Sequence, residues 1–201
     1  ITPLRMIKSK EEIEEMQKAI DITIDGVKSL MKNAKAGMKE YELEAYFDFE
    51  CKTRGVKDLA FRTIAAAGKN ATTLHYVENN SEIKNDDLIL FDLGAQWNYY
   101  SSDITRTFPV SGKFTDRQKE VYEAVLRVNK AVIEKIKPGV VYKELNAWAT
   151  DLIAEECIKL GIIKEKSEVS KYYWHSIGHN LGLDTHDVEP QGRNFVFAEG
   201  M

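Results

Sequence analysis

Leu88-Ile89-Leu90-Phe91-Asp92-Leu93-Gly94-Ala95 and Ser101-Ser102-Asp103-Ile104-Thr105-Arg106-Thr107-Phe108-Pro109 flank the linker Gln96-Trp97-Asn98-Tyr99-Tyr100. Both flanks are rich in β-branched or aromatic residues and Asn98 favours a turn, so the stretch is expected to fold as an antiparallel hairpin stopped by Pro109. With the turn centred between Trp97 and Asn98, Asp92 faces Asp103 directly. Cross-strand partners hold their Cβ atoms roughly 4.5–5.5 Å apart. Two carboxylates at that range repel unless one keeps its proton or a cation lies between them. The run before Asp92 is wholly apolar, which predicts burial on both faces of the strand, and an unpaired buried carboxylate is expensive. A divalent cation between the two acids resolves that conflict better than a pair of solvated acids beside a turn.

On the N-terminal side, Ser9-Lys10-Glu11-Glu12 is a capping box followed at helical spacing by Ile13, Met16, Ile20, Ile24, Val27 and Leu30, which predicts an amphipathic helix ending near Ala36-Gly37. A second helix is expected over residues 40–54, with Leu43 and Phe47 inward and Gly55 as its cap. Residues 62–67 resemble a short strand, Gly68-Lys69-Asn70 a turn, and His75 follows in Leu74-His75-Tyr76. On the C-terminal side, Thr115-Asp116-Arg117-Gln118 opens a helix carrying Val121, Val125, Val128, Val132 and Ile136, broken at Pro138-Gly139. Another helix is expected over 143–160, with Leu145, Trp148, Leu152 and Cys157 in the core and Gly161 as cap.

These elements repeat. A long helix, Lys35-Ala36-Gly37 and Leu43 match a long helix, Lys137-Pro138-Gly139 and Leu145 at the same offset, and each copy continues into a strand-like segment that carries histidine. The second copy should own a hairpin equivalent to residues 88–109; the sequence reaches only Ala198-Glu199-Gly200-Met201, about where the first copy reads Asn85-Asp86-Asp87.

Composition narrows the function. A chain of 201 residues that is 43 % hydrophobic can bury a sizeable core. Its net charge of −4 leaves no footprint for nucleic acid or an anionic membrane. No apolar run approaches the roughly 18–20 residues of a membrane span, and the first residues lack a signal-peptide core, so a cytoplasmic protein is expected. Cys51 and Cys157 form neither a metal knuckle nor a disulfide framework.

Three of the four histidines, His175, His179 and His186, fall in His175-Ser176-Ile177-Gly178-His179-Asn180-Leu181-Gly182-Leu183-Asp184-Thr185-His186-Asp187. Gly178 and Gly182 argue against a helix. In an extended segment His175 and His179 share a face, whereas His186 needs a turn near Gly182 to join them. Together they offer a neutral metal ligand and proton donors.

Segments 91–95, 102–108 and 175–187, in that order, resemble the proline-peptidase branch of the pita-bread metallopeptidases, which contains Xaa-Pro aminopeptidase and Xaa-Pro dipeptidase, or prolidase. The resemblance implies an α+β pita-bread catalytic domain over residues 1–201, with an internal pseudo-two-fold repeat whose second half is incomplete, and a site for two divalent metal ions. It assigns Asp92 as a carboxylate reaching one metal, Asp103 as the carboxylate shared by both, and His179 as the single histidine ligand. It assigns His75 to proton transfer and substrate holding, His186 to stabilising the tetrahedral intermediate, and His175 to a contact with the substrate or with a ligand. Such a donor set suits Mn²⁺ first, then Co²⁺ or Zn²⁺. The implied reaction is hydrolysis of an Xaa-Pro bond at a peptide N-terminus, and the implied full-length protein is a homodimer. Two departures stand out: Thr185 replaces the usual Val or Ile, and two glutamate ligands that the family carries in a closing hairpin, like its N-terminal domain, are absent from this sequence. This fragment is accordingly expected to be weakly active or inactive. A silent pita-bread module that binds peptides and a methionine aminopeptidase are the rival readings.

Overall fold

The computed structural model describes all 201 residues. Helices α1 (Thr2–Met6), α2 (Lys10–Asn33) and α3 (Glu40–Thr53) precede strand β1 (Ile64–Ala67) and a 3₁₀ turn over Gly68–Thr72. Strands β2 (Leu88–Leu93), β3 (Gln96–Trp97), β4 (Tyr100–Ser101) and β5 (Ile104–Pro109) follow, then helices α4 (Asp116–Lys135) and α5 (Tyr142–Lys159) and 3₁₀ turns over Lys166–Lys171 and Gln191–Arg193. No helix is long and apolar enough to cross a membrane.

The chain forms two compact units. One comprises residues 8–114 and 181–187. Its sheet is antiparallel in the order β1-β2-β5, with α2 and α3 against one face. Burial alternates along β2: Ile89, Phe91 and Leu93 enter the core with Leu30, Leu43 and Phe47, while Leu88, Leu90 and Asp92 turn to the half-open face. The apolar run of β2 therefore does not mean burial on both faces; Leu90 is half-buried against the small cluster of Ile64, Ala66 and Tyr76.

Both predicted capping boxes form, at Ser9 and at Thr115. The inward stripe of α2 is rotated from the expected one. Ala19, Ile22, Thr23, Gly26, Val27 and Leu30 are buried, whereas Ile13 is exposed. The cause is close packing against α3: a Cβ at Gly26 would sit 2.4 Å from the Phe47 ring, so α2 turns its small residues inward there. On α4, likewise, Ala124, Val128 and Val132 face the core and Val125 and Ile136 do not.

The other unit comprises residues 1–7, 115–180 and 188–201. Val128 and Val132 of α4 pack on Leu145 and Ala149 of α5, and Met6, Tyr142 and Phe195 form a second cluster.

The sequence repeat reappears as a repeat of hydrogen bonds. In the first unit Gly37 N donates to Ile83 O (2.8 Å), Ile83 N to Met38 O (2.8 Å) and Glu40 N to Ser81 O (3.0 Å). In the second, Gly139 N donates to Phe197 O (2.9 Å), Phe197 N to Val140 O (2.8 Å) and Tyr142 N to Phe195 O (3.0 Å). Gly37 and Gly139 both take the left-handed backbone, at φ 87° and 91°, that this turn into the helix requires. The correspondence ends at the histidine segment of the second copy, which is an irregular loop with no counterpart of β1.

Candidate active site

The hairpin forms, but its register is not the expected one. Asn98 and Tyr99 both adopt positive φ (48° and 72°), the signature of a two-residue type I′ turn, so the turn centres between them. Leu93 then pairs with Ile104 and Asp92 with Thr105, while Asp103 lies in the gap between β4 and β5. Asp92 and Asp103 are thus diagonal rather than direct partners. Diagonal neighbours stand roughly 7–8 Å apart at Cα, within reach of side chains on one face. The two carboxyl groups do meet: Asp92 reaches Asp103 within hydrogen-bonding range and accepts from Thr105 Oγ1 at 2.9 Å.

The electrostatics follow from that placement. Burial, then the charge of Asp103, push the Asp92 carboxyl up to about 6, against the opposing pull of the Thr105 hydroxyl and of His75. Above that pH two negative groups share one face of the sheet, the condition that a bound cation relieves.

The gap holding Asp103 is set by residues the sequence reading passed over. Ser102 Oγ donates to Ala95 O (2.9 Å), so the 2.6 Å contact between Ser102 Oγ and Thr23 Oγ1 has Thr23 as donor. Thr23 Oγ1 in turn accepts from Ala95 N (2.9 Å). This buried chain ties α2 to the hairpin beside Asp103. Gly94 lies against Ser102 so closely that a Cβ would fall 1.8 Å from its carbonyl oxygen. A small hydroxyl on the inward stripe of α2 was the available signal for Thr23.

Residues 181–187 join this unit through Ser101 N to Gly182 O (2.8 Å) and Thr185 Oγ1 to Ala60 O (3.1 Å). The second bond gives the unusual Thr185 a role that Val or Ile lacks. A cavity of about 330 Å³ results, lined by Asp92, Asp103, His75, His186 and Thr185 with Phe61, Arg62, Ile64 and Val77. His75 enters it from a backbone at φ 53°, in the left-handed region.

His175 and His179 belong to the other unit, on the 175–180 loop. They are not on an extended strand; each ring turns back on the next carbonyl, His175 Nδ1 to Ser176 O at 2.8 Å and His179 Nδ1 to Asn180 O at 3.0 Å. A carbonyl only accepts, so each ring donates from Nδ1. The structure gathers no group of three or more His, Cys, Asp or Glu side chains at metal-holding distance. What it presents for a metal is the Asp92–Asp103 pair, a hard oxygen donor set whose mutual repulsion a divalent cation neutralises. The cysteines are unsuited to this chemistry, since burial pushes the Cys51 thiol up to about 12 and raises that of Cys157.

Residues 14–201 match the model of metallopeptidase family M24. The chain belongs to metallopeptidase family M24. Among its M24 relatives, Xaa-Pro aminopeptidase 3 of Rattus norvegicus is 40% identical over 206 residues, covering 100% of this chain and 41% of that protein. A Bacillus anthracis structure assigned as an aminopeptidase P superimposes with a TM-score of 0.97 at 51% identity, over 100% of this chain and 48% of that one. The zinc-substituted aminopeptidase P of E. coli, in complex with product, gives 0.94 at 35% identity, over 98% and 47%. The fold is thus the α+β pita-bread arrangement of this family, whose members are divalent-metal peptidases. The chain spans about half or less of the length of these relatives.

Proposed function

We propose that this chain is the part of an Xaa-Pro aminopeptidase that carries the first metal ligands and the substrate-handling histidines. The observation that carries the reading is the meeting of Asp92 and Asp103 on one sheet face, in a single cavity with His75 and His186. Asp92, Asp103 and His179 would hold divalent ions, Mn²⁺ in first place with Co²⁺ or Zn²⁺ as substitutes. When bound, such ions supply an acidified water and a Lewis acid for the scissile carbonyl.

The remaining work falls to the chain's own groups. His186 donates to the oxyanion as the carbonyl becomes tetrahedral, and His75 holds the peptide and delivers a proton to the departing proline nitrogen. His175 contacts the substrate. The apolar walls of the cavity, Phe61, Ile64 and Val77, suit a pyrrolidine ring, which favours proline after the scissile bond over the free choice of a methionine aminopeptidase. Aminopeptidase is preferred to dipeptidase because the named relatives are Xaa-Pro aminopeptidases.

The test is Mn²⁺-dependent release of the N-terminal residue from an Xaa-Pro dipeptide and an Xaa-Pro-Xaa tripeptide by the full-length protein. Cleavage of the tripeptide, abolished by Asp103→Ala together with Mn²⁺ binding, is the expected result. Turnover that survives Asp103→Ala overturns the site, and a full-length protein that binds peptides without cleaving them supports the silent module.

A further inference from the structure

The two copies of the repeat grip their histidine loops from the same two helix positions. Tyr142 follows Gly139 at the interval at which Glu40 follows Gly37, and each is the first residue of its helix. One turn on, Glu44 and Asn146 correspond in the same way.

In the first unit Glu40 is fully buried. Its Oε1 accepts from Ala67 N (2.7 Å) and Asn70 Nδ2 (2.9 Å), and its Oε2 from Tyr76 OH (2.8 Å) and Ser81 N (2.9 Å). Glu44 accepts from Asn79 Nδ2 at 2.9 Å. One carboxylate thus holds both ends of the 70–81 loop and the tyrosine adjoining His75. Its charge lies at the positive end of α3, where a carboxylate is favoured. In the second unit Tyr142 OH donates to Gly178 O (2.7 Å) and Asn146 Oδ1 accepts from Ile177 N (3.0 Å). Both bonds fall on the backbone between His175 and His179. The side-chain chemistry differs between the copies, but the task is common: a buried polar group at the helix start and another one turn later fix a histidine-bearing loop.

We propose that Glu40 with Glu44, and Tyr142 with Asn146, are duplicated positioning residues, the first pair setting His75 and the second setting His175 and His179. The proposal deepens the peptidase reading and rests on it for the catalytic meaning of the histidines, though not for their placement. Neither pair contacts the reacting atoms; each acts through the loop it holds.

Two readouts separate this proposal from the function it serves. Histidine ring signals, followed by NMR on selectively labelled, metal-free full-length protein, should shift and broaden for His175 and His179 in Tyr142→Phe and for His75 in Glu40→Gln. The other histidines serve as internal controls. In steady-state assays at saturating Mn²⁺, each variant should lower kcat about ten- to a hundredfold while KM changes less than about threefold. Glu44→Ala, which removes the single bond from Asn79 Nδ2, should show the His75 effect in weaker form and covers the case in which Glu40→Gln fails to fold. Unchanged ring signals in folded variants overturn the proposal whether or not the protein cleaves Xaa-Pro peptides. So does a lowered melting temperature with unaltered kcat, which is what a purely structural role produces. A wild-type protein that leaves Xaa-Pro peptides intact refutes the peptidase reading, and the ring signals then still decide the positioning.

Discussion

At the scale of single residues, Asp92 stores a conflict that pH exposes. An unfolded aspartate ionises near pH 4, whereas this one, half-buried beside Asp103, ionises near 6. Between those values the folded state holds the proton more tightly, so its contribution to stability falls as pH rises from 4 to 6 and stays lost above. Asp92→Asn keeps an acceptor for Thr105 and removes the charge. In metal-free protein the variant should exceed wild type in urea stability by about 2 kcal/mol at pH 7 and lose that margin by pH 4. The difference between the two proteins is the quantity to follow, because carboxylates such as Glu12 and Glu156, lowered by their hydrogen bonds, give the wild type an opposite slope that the variant shares. An equal margin at both pH values contradicts the assignment. Gly94 offers a second residue-scale test. Any side chain there meets the Ser102 carbonyl, whose residue is locked by Ala95 and Thr23. Gly94→Ala should cost about 3 kcal/mol, seen as a fall in the urea midpoint; an unmoved midpoint would mean that the hairpin gives way freely.

At the scale of elements, what was legible in the sequence is what local chemistry decides. The capping boxes at Ser9 and Thr115, the left-handed caps at Gly55 and Gly161 and the strand-turn-strand pattern all depend on neighbours within a few residues, and all are present. The register was not legible, because it depends on which two residues turn the chain. Asn98 is a familiar turn residue, but an aromatic residue at positive φ gives no signal, and Tyr99 is one. Thr23 and Glu40 were hidden for a different reason: their partners lie far along the chain, at Ala95, Ser102, Tyr76 and Ser81. The diagonal pairing still brought Asp92 and Asp103 together because a shift that keeps parity leaves both on one face. The turn also makes a prediction. Tyr99 is 78% exposed at φ 72°, so Tyr99→Gly gives up little contact, relieves the left-handed strain and creates the favoured Asn-Gly pair. The hairpin should gain about 1 kcal/mol, measurable as a rise in Tm, and a fall in Tm would show that the ring contributes more than its exposure implies.

At the scale of the whole molecule, the two units repeat one plan but do not bury it equally. The largest fully buried side chains, among them Phe47, Phe91, Ile22, Leu43 and Ile89, all belong to the unit built on the β1-β2-β5 sheet. The other unit rests on smaller clusters in which Val128 and Val132 remain slightly exposed. Stability within a protein follows such differences: regions with fewer buried apolar contacts open at lower free energy than the core. Native-state hydrogen exchange of the 201-residue chain should therefore show β2, α2 and α3 exchanging slowest, through global unfolding. Amides of α4 and α5 should exchange at least about tenfold faster, through an opening confined to their own unit. If so, the duplicated hydrogen-bond register at Gly37 and Gly139 is a matter of shared topology, while the rigid platform under Asp92 and Asp103 comes from the sheet, which only one copy here possesses. Uniform protection across both units would instead show that the repeat folds as one cooperative body, and the smaller clusters of α4 and α5 would then have to draw their stability from outside their own unit.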